Sequence, residues 1–439
     1  MAMVVKNNMS AISTLNTLNK NSSALSKSLE KVSSGMKINS AADDASGYAI
    51  SERMRVQIRS LDQANANTQA GNSMMKVAEG AVSSTVDILK TLKEKVINAA
   101  NDTNTDADRQ TIQKELNQSI DQIDDNANVT YNGKYLVDGS KNTKGNATCT
   151  HMTNQLLHSA TTGSTNFTAM SNRNGESLEI IGTDKITMSY THQGTTFTCT
   201  LDVSKATNLS TMASKVTKVS GAHGDFEFTS AANSIIGTNA GGNTIYTADG
   251  GNGVSMIAKG SGLTGQIAGL SIRITDNEGN VKKSAIAALD GFDEKIKAQN
   301  ASDDNALTFQ VGAKANQSIK VGMGDMRAEA LGLKGSDGTK LNISTQEKAN
   351  AAISVLDNAV QKALDQQTTI GSVESRLNYT STNLTTASEN VQASESTIRD
   401  ADMAKEMTNY TKNNVLLQAA QSMLAQANQS SSSVLSLLQ

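Results

Sequence analysis

Residues 54–96 read MRVQIRSLDQANANTQAGNSMMKVAEGAVSSTVDILKTLKEKV, and within them Met54, Leu61, Thr68, Met75, Val82, Leu89 and Val96 recur at an interval of seven, with Ile58 and Val86 on the companion seam. A seven-residue apolar repeat sustained this long is the pattern of an α-helix whose narrow stripe seats against another helix. The chain contains no proline, so nothing of that kind breaks the run. At 1.5 Å of rise per residue the pattern predicts one helix of about 50 residues, some ~75 Å long. Such a helix cannot bury its stripe in itself, so the stripe demands partners.

Working outward, the same interval returns near the other end of the chain at Leu356, Ala363, Ile370, Leu377, Leu384, Val391 and Ile398. Close to the N-terminus Leu15, Leu18, Leu25, Leu29 and Val32 alternate spacings of three and four, with polar Ser22 in the missing seam position. Ile112, Leu116, Ile120, Ile123 and Ala127 supply a shorter helix, for which Asp106 or Asp108 is the expected cap. Helical character therefore holds over residues 10–140 and 345–429. Between them, residues 141–305 carry most of the glycines and short alternating runs: Leu178-Glu179-Ile180, Ile186-Thr187-Met188-Ser189-Tyr190, Phe226-Glu227-Phe228 and Leu270-Ser271-Ile272-Arg273-Ile274. Bounded by turn residues, these runs predict short strands. The expected fold is mainly α: a β-rich insertion between two helical arms whose apolar stripes need partners.

Composition narrows the function. Seven Tyr, six Phe and no Trp in 439 residues leave aliphatic side chains and Ala to build the core, which suits close helix-to-helix seams. With 39 Lys and Arg against 42 Asp and Glu there is no basic stripe for nucleic acid. No apolar run approaches the ~18 residues that span a membrane, and no nucleic-acid or membrane partner is expected. The start, Met1-Ala2-Met3-Val4-Val5-Lys6-Asn7-Asn8, turns polar after two valines and signals no cleaved secretory leader. Cys149 and Cys199 allow one disulfide in an oxidising exterior or two free thiols, and two cysteines do not decide between them. The seams alone fit an intracellular coiled-coil adaptor, but residues 416–439 carry no charge at all. A solvated coiled coil carries Glu and Lys at its outer positions, so an uncharged end suits burial in an assembly, or disorder until assembly supplies partners.

Both ends resemble bacterial flagellins. The N-terminal stretch is Leu29-Glu30-Lys31-Val32-Ser33-Ser34-Gly35-Met36-Lys37-Ile38-Asn39-Ser40-Ala41-Ala42-Asp43-Asp44-Ala45-Ser46-Gly47; the C-terminal ones are Ile398-Arg399-Asp400-Ala401-Asp402, Leu424-Ala425-Gln426-Ala427-Asn428-Gln429 and Val434-Leu435-Ser436-Leu437-Leu438. Leu307-Thr308-Phe309-Gln310-Val311-Gly312-Ala313-Lys314 with residues 319–321 is similar to the family's core β-hairpin. The resemblance covers residues 4–140 and 305–439.

It implies a structural subunit rather than an enzyme, polymerising with itself into the flagellar filament; a hook–filament junction protein is the alternative. The implied topology pairs the N- and C-terminal arms as an antiparallel long-helix coiled-coil core beneath a variable α+β outer domain, and the implied parts are an inner terminal-helix domain (1–45 and 396–439), a core helical bundle with its hairpin (46–140 and 305–395) and a variable surface-exposed β-rich domain (141–304). It further implies an extracellular place in the flagellum, reached unfolded through the flagellar export apparatus with an export chaperone, and contacts with the filament cap and hook-associated proteins. The expected polymerisation interface is Leu15, Leu18, Leu25, Leu29, Val32, Leu416, Leu417, Met423, Leu424, Val434, Leu435 and Leu438, and Asn39, Asp43, Asp44 and Gly47 mark the connector between inner and core domains. Asp43 or Asp44 is also read as the cap of the long helix that follows.

In some flagellins the core helix is recognised by Toll-like receptor 5. The matching surface here is Lys90, Thr91, Glu94, Lys95 and Glu115, but Thr91 stands where receptor-activating members carry Arg and Lys95 where they carry Leu, which implies a weak receptor partner. A plain solvated face with a Lys90–Glu94 pair accounts for the same residues. No His is followed by Glu, as a zinc protease insert would require. The histidines His151, His158, His192 and His223 all lie in the insertion; Cys149-Thr150-His151 with His158 offers donors for a metal, but the spacing fits no established zinc pattern and lone histidines in Thr-rich strands read as polar surface, so no metal or cofactor is expected.

Overall fold

The computed structural model describes residues 8–205, 207–218, 225–229, 234–247 and 251–437, with side chains described as far as residue 429. In chain order the elements are α1 (Met9–Ser34), α2 (Ala45–Ala99), α3 (Asp106–Ala127), β1 (Thr130–Tyr131), β2 (Lys134–Tyr135), β3 (His151–Asn154), β4 (Lys185–His192), β5 (Thr195–Asp202), α4 (Leu209–Val216), β6 (Phe226–Phe228), β7 (Ile235–Thr238), β8 (Thr244–Tyr246), β9 (Val254–Ala258), β10 (Ile267–Thr275), α5 (Lys283–Leu289), β11 (Phe292–Ile296), β12 (Leu307–Gln310), β13 (Ser318–Val321), α6 (Gln346–Arg399) and α7 (Met403–Leu437). The heptad stretch is one helix, α2, of 55 residues. The chain divides into two units: Met1–Thr68, Gln310–Gln317 and Tyr379–Gln439 form one, and Gln69–Phe309 with Ser318–Asn378 the other.

In the second unit the seam residues are buried as their spacing requires. Met75, Val82, Leu89 and Val96 of α2 and Ala363, Ile370 and Leu377 of α6 are all fully buried, as are Ile120 and Ile123 of α3. Polar contacts set the directions: Asn72 Nδ2 donates to Asn378 Oδ1 at 2.8 Å and Lys93 pairs with Asp357, so α6 runs antiparallel to α2. Likewise Asn126 Nδ2 donates to Ser84 Oγ at 3.1 Å while Lys95 pairs with Glu115 at 3.1 Å, so α3 returns antiparallel along α2. The cap of α3 is neither expected Asp by itself. Thr105 occupies the cap, accepting from Asp108 N, and the Asp108 carboxylate reaches back to Thr105 N at 2.9 Å. This reciprocal box satisfies two end amides, which a lone Asp in the first turn does not.

The insertion has its own core. One antiparallel sheet has the order β10-β4-β5 and another the order β11-β3-β9-β6. Their inner faces contribute Ile186, Met188, Tyr190, Met256 and Ile272 to one buried cluster that also takes in α4 and α5. Tyr190, Phe197, Phe226, Phe228 and Phe292 form a chain of ring contacts with centroids 4.9–5.8 Å apart. Aromatics scarce elsewhere are thus spent where a small sheet core needs bulk. The other face of β4 and β5 carries paired hydroxyls, Thr187 with Thr200 at 2.9 Å and Ser189 with Thr198 at 3.0 Å, which explains why these strands are rich in Thr and Ser. One expected strand is absent: Leu178 and Ile180 are buried, but Glu179 adopts φ 53°, a left-handed conformation that a strand cannot continue.

Candidate assembly surface

In the first unit α1 and α7 lie side by side. Asn8 Nδ2 donates to Ala427 O at 3.2 Å, Asn21 Nδ2 to Leu416 O at 3.2 Å, and Asn413 Nδ2 to Ser28 Oγ at 3.1 Å, an antiparallel register. The seam is formed by Ala11, Thr14, Leu18, Leu25, Ser28 and Val32 on α1 and by Tyr410, Asn413, Leu417, Ala420 and Leu424 on α7. It is thin: of the seam residues named, only Ser28 and Ala420 are buried, and the leucines in it are partly buried. Two helices with such small seam residues remove little apolar area from water, and a lone pair of this kind has little to hold it.

The expected interface residues therefore sort into two sets. Leu18, Leu25, Val32, Leu417 and Leu424 serve the seam within the chain. Leu15 (45% exposed), Leu29 (52%), Leu416 (41%) and Met423 (62%) flank it and face away. Met9, Ile12, Met407 and Val415 are also exposed, on other sides of the same two helices. Spacings of three and four had put Leu15 and Leu29 on the same seam as Leu18 and Leu25, but Ala11, Thr14 and Ser28, small or polar, take the inner positions instead. The side chains of Val434, Leu435 and Leu438 lie outside the described residues.

The connector residues do come together. Asp43 accepts from Asn39 N at 3.2 Å and Ser40 N at 3.1 Å, and the Ser40 amide chiefly holds its carboxyl below the usual range. Of the two candidate caps it is Asp44 that caps α2, accepting from Ser46 N and Gly47 N, each at 3.0 Å. At Gly47 a Cβ would sit 2.6 Å from Asp44 Oδ2 and 2.7 Å from Ile38 Cδ1, so any larger residue must displace the Asp44 carboxylate and the buried Ile38. Against this connector packs a residue that had been read only as part of a motif. Arg399, at the end of α6, is 6% exposed; it donates to Glu52 Oε1 at 2.5 Å and Ser51 Oγ at 3.3 Å, and its guanidinium lies 5.2 Å from the Tyr48 ring centre. Its carbonyl accepts from Lys37 N at 2.7 Å. Its hydrogen bond holds the Glu52 carboxyl below the usual range. A cation ending an apolar heptad series, directly before Asp400, was the signal in the sequence.

On the expected receptor surface Lys95 meets Glu115, but Lys90 turns back to Asp87 at 3.2 Å rather than forward to Glu94. Thr91 donates to Asp87 O at 3.0 Å, and Glu94 is exposed. Cys149 and Cys199 are both free thiols packed against the insertion core, so the disulfide alternative is not realised. Two histidines are more than polar surface: His151 Nδ1 contacts Ile236 O at 2.9 Å, and His192 lies between Asp225 at 3.5 Å and Thr264 O at 3.1 Å. Among the described residues no group of three or more metal-binding side chains gathers, and no helix is long and apolar enough to cross a membrane. His223 lies outside them.

Comparison with known proteins agrees with this architecture. Residues 5–142 match the family described as bacterial flagellin N-terminal helical region, and residues 353–438 match bacterial flagellin C-terminal helical region. A flagellin of Clostridium tyrobutyricum is 36% identical over 97% of this chain and 99% of its own length. The flagellin of Bacillus subtilis strain 168 is 29% identical over 99% and 100%. Among solved structures, the flagellar junction protein FlgL of Legionella pneumophila is 14% identical over 80% of this chain and 99% of its own, with a TM-score of 0.34, too loose a superposition to weigh. With flagellin motifs at both ends and a flagellin relative matched along nearly its whole length, this chain belongs to the bacterial flagellin family.

Proposed function

We propose that the outward strips of α1 and α7, centred on Leu15, Leu29, Leu416 and Met423, are the surface through which this filament subunit polymerises. The observation that carries the reading is their exposure beside a seam too thin to stand alone. The half-exposed Leu15, Leu29, Leu416 and Met423 gain by being covered, and the uncharged end of α7 brings no ions whose desolvation would oppose it. Further subunits of the same sequence supply the cover.

The same reading extends to the three-part division into inner, core and surface domains, and to the Arg399 cluster as the joint between inner and core parts. Export through the flagellar apparatus, an export chaperone, contacts with cap and hook-associated proteins, and a weak Toll-like receptor 5 surface are part of the same reading, which membership of the family supports. The subunit role needs no catalysis. Electron microscopy of purified protein tests the main point: long tubes are expected from the full chain and none from a chain lacking residues 1–34 and 403–439. Tubes from the truncated chain would overturn the assignment, and a full chain that never elongates would favour a junction protein.

A further inference from the structure

Among the described residues the two larger sheets of the insertion end in the edge strands β10 and β5 and the edge strands β11 and β6. All but one of these edges are guarded in the ways that stop a sheet from adding strands. On β10 the register shifts between Ile267 and Gly269, Ile272 N donates to Asp290 Oδ1 at 2.8 Å, and Ile274 O accepts from Lys282 N at 3.1 Å. β11 carries the charges of Asp293 and Lys295 and a register shift between Glu294 and Ile296, and β6 is three residues long. Strand β5 has none of these guards. It is eight residues long, pairs with β4 without a shift, and has no charged residue from Thr195 to Leu201 and no proline.

The turn fixes which way its backbone groups point. Gln193 and Gly194, at φ 52° and 72°, form the two-residue loop of a hairpin, so His192 and Thr195 are a hydrogen-bonded pair, as is every second pair after them. The pairs between are the close, non-bonded ones, and there the hydroxyls touch: Thr191 with Thr196 at 3.2 Å, Ser189 with Thr198 at 3.0 Å and Thr187 with Thr200 at 2.9 Å. Thr196, Thr198 and Thr200 therefore turn their N–H and C=O groups away from β4, and among the described residues these groups bond to no other segment. Thr196 is buried, Thr198 half-buried and Thr200 exposed, so the open stretch is the half of the strand nearer Asp202. On the core face Phe197, Cys199 and Leu201 are only partly buried.

We propose that β5 pairs with the β5 of a second copy of this chain, antiparallel about a two-fold axis at Cys199. In that register the outward groups of Thr198 meet those of the second copy's Thr200, and the reverse, giving roughly four backbone hydrogen bonds. On the core face Phe197 meets the second copy's Leu201 and Cys199 meets its own counterpart; on the other face threonine meets threonine, and no like charges are brought together. The strand is thus complementary to itself in charge, in hydrogen bonding and in side-chain rows, which is why the occupant is a second copy. Centring the pair on Thr198 instead would need the edge of the buried Thr196. A two-fold contact closes on itself, so it joins subunits in pairs and adds to the propagating surface of α1 and α7 without replacing it. One such pair is weak, and filaments that present many of them gain from their number.

The native thiol reports the contact. In the paired register the Cα atoms of Cys199 and its counterpart lie about 4.5 Å apart, within reach of a disulfide. Full-length Cys149→Ser filaments are treated with diamide, which takes up the two thiol hydrogens as the S–S bond forms, and run on a non-reducing gel. A reducible dimer is expected, and adding Thr200→Lys, which sets a charge into the new ladder, should lower it at least ~10-fold. Hydrogen exchange of the wild type needs no variant. The Thr198 and Thr200 amides should exchange freely in dilute subunits and slow at least ~10-fold in filaments, while the Cys199 amide is protected in both. The proposal is overturned by the absence of a dimer, by a dimer undiminished in Thr200→Lys, or by Thr198 and Thr200 amides that are equally fast in both states or already slow in dilute subunits. Any of these results with normal filaments removes this contact alone and leaves the α1–α7 surface standing.

Discussion

Replacing Leu29 by Asp separates a surface that assembles from one that merely happens to be apolar. Leu29 is 52% exposed and touches the α1–α7 seam only from its flank, so the change should cost the free subunit no more than about 0.5 kcal/mol. In the filament the cost differs. Covering the exposed half of a leucine contributes about 1 kcal/mol, which Asp forfeits. An ionised carboxylate on an apolar contact adds several kcal/mol, limited to about 4 kcal/mol at neutral pH because beyond that it takes up a proton. A net loss of at least ~3 kcal/mol raises the critical concentration for polymerisation at least ~100-fold. Sedimentation of filaments against total protein measures that concentration, and circular dichroism confirms that the unpolymerised subunit is unchanged. Near pH 4 the carboxyl is half protonated and much of the loss should be recovered. A critical concentration within about threefold of wild type at neutral pH would refute the reasoning, because a carboxylate cannot be buried so cheaply.

The connector yields two further predictions. Arg399→Gln should lower the stability of the first unit by about 1–3 kcal/mol, less than a fully buried pair because Glu52 is 41% exposed on its side chain, with Arg399→Lys intermediate; thermal unfolding reads both. Gly47→Ala should cost about 1–3 kcal/mol by driving its Cβ into Ile38 and Asp44, and an unfolding midpoint equal to wild type would show that the connector yields freely.

The long helices were legible because a seven-residue repeat carries its own proof: Met75, Val82 and Leu89 are spaced for burial and are buried. The terminal helices were only half legible. Periodicity in Leu, Ile and Val cannot show that Ala11, Thr14 and Ser28 take the inside, since small polar residues carry no hydrophobic signal, and so the flank leucines were read as seam. The connector glycine and the acidic pair stood out by residue type, whereas Arg399 depends on chain segments distant in sequence and emerges only when Glu52, Tyr48 and Lys37 are brought around it. In the insertion, alternation found β4, β6 and β10 but failed at Leu178 to Ile180, where one left-handed backbone angle undoes an otherwise good strand pattern.

The most direct test is a helical reconstruction of the filament at side-chain resolution, read at Leu15, Leu29, Leu416 and Met423. Each of these side chains, now 41–62% exposed, should be covered by a neighbouring subunit, with the α1–α7 pairing inside each chain preserved. If these four side chains face solvent in the filament while subunits join through the insertion, the assembly surface lies elsewhere and the account is wrong.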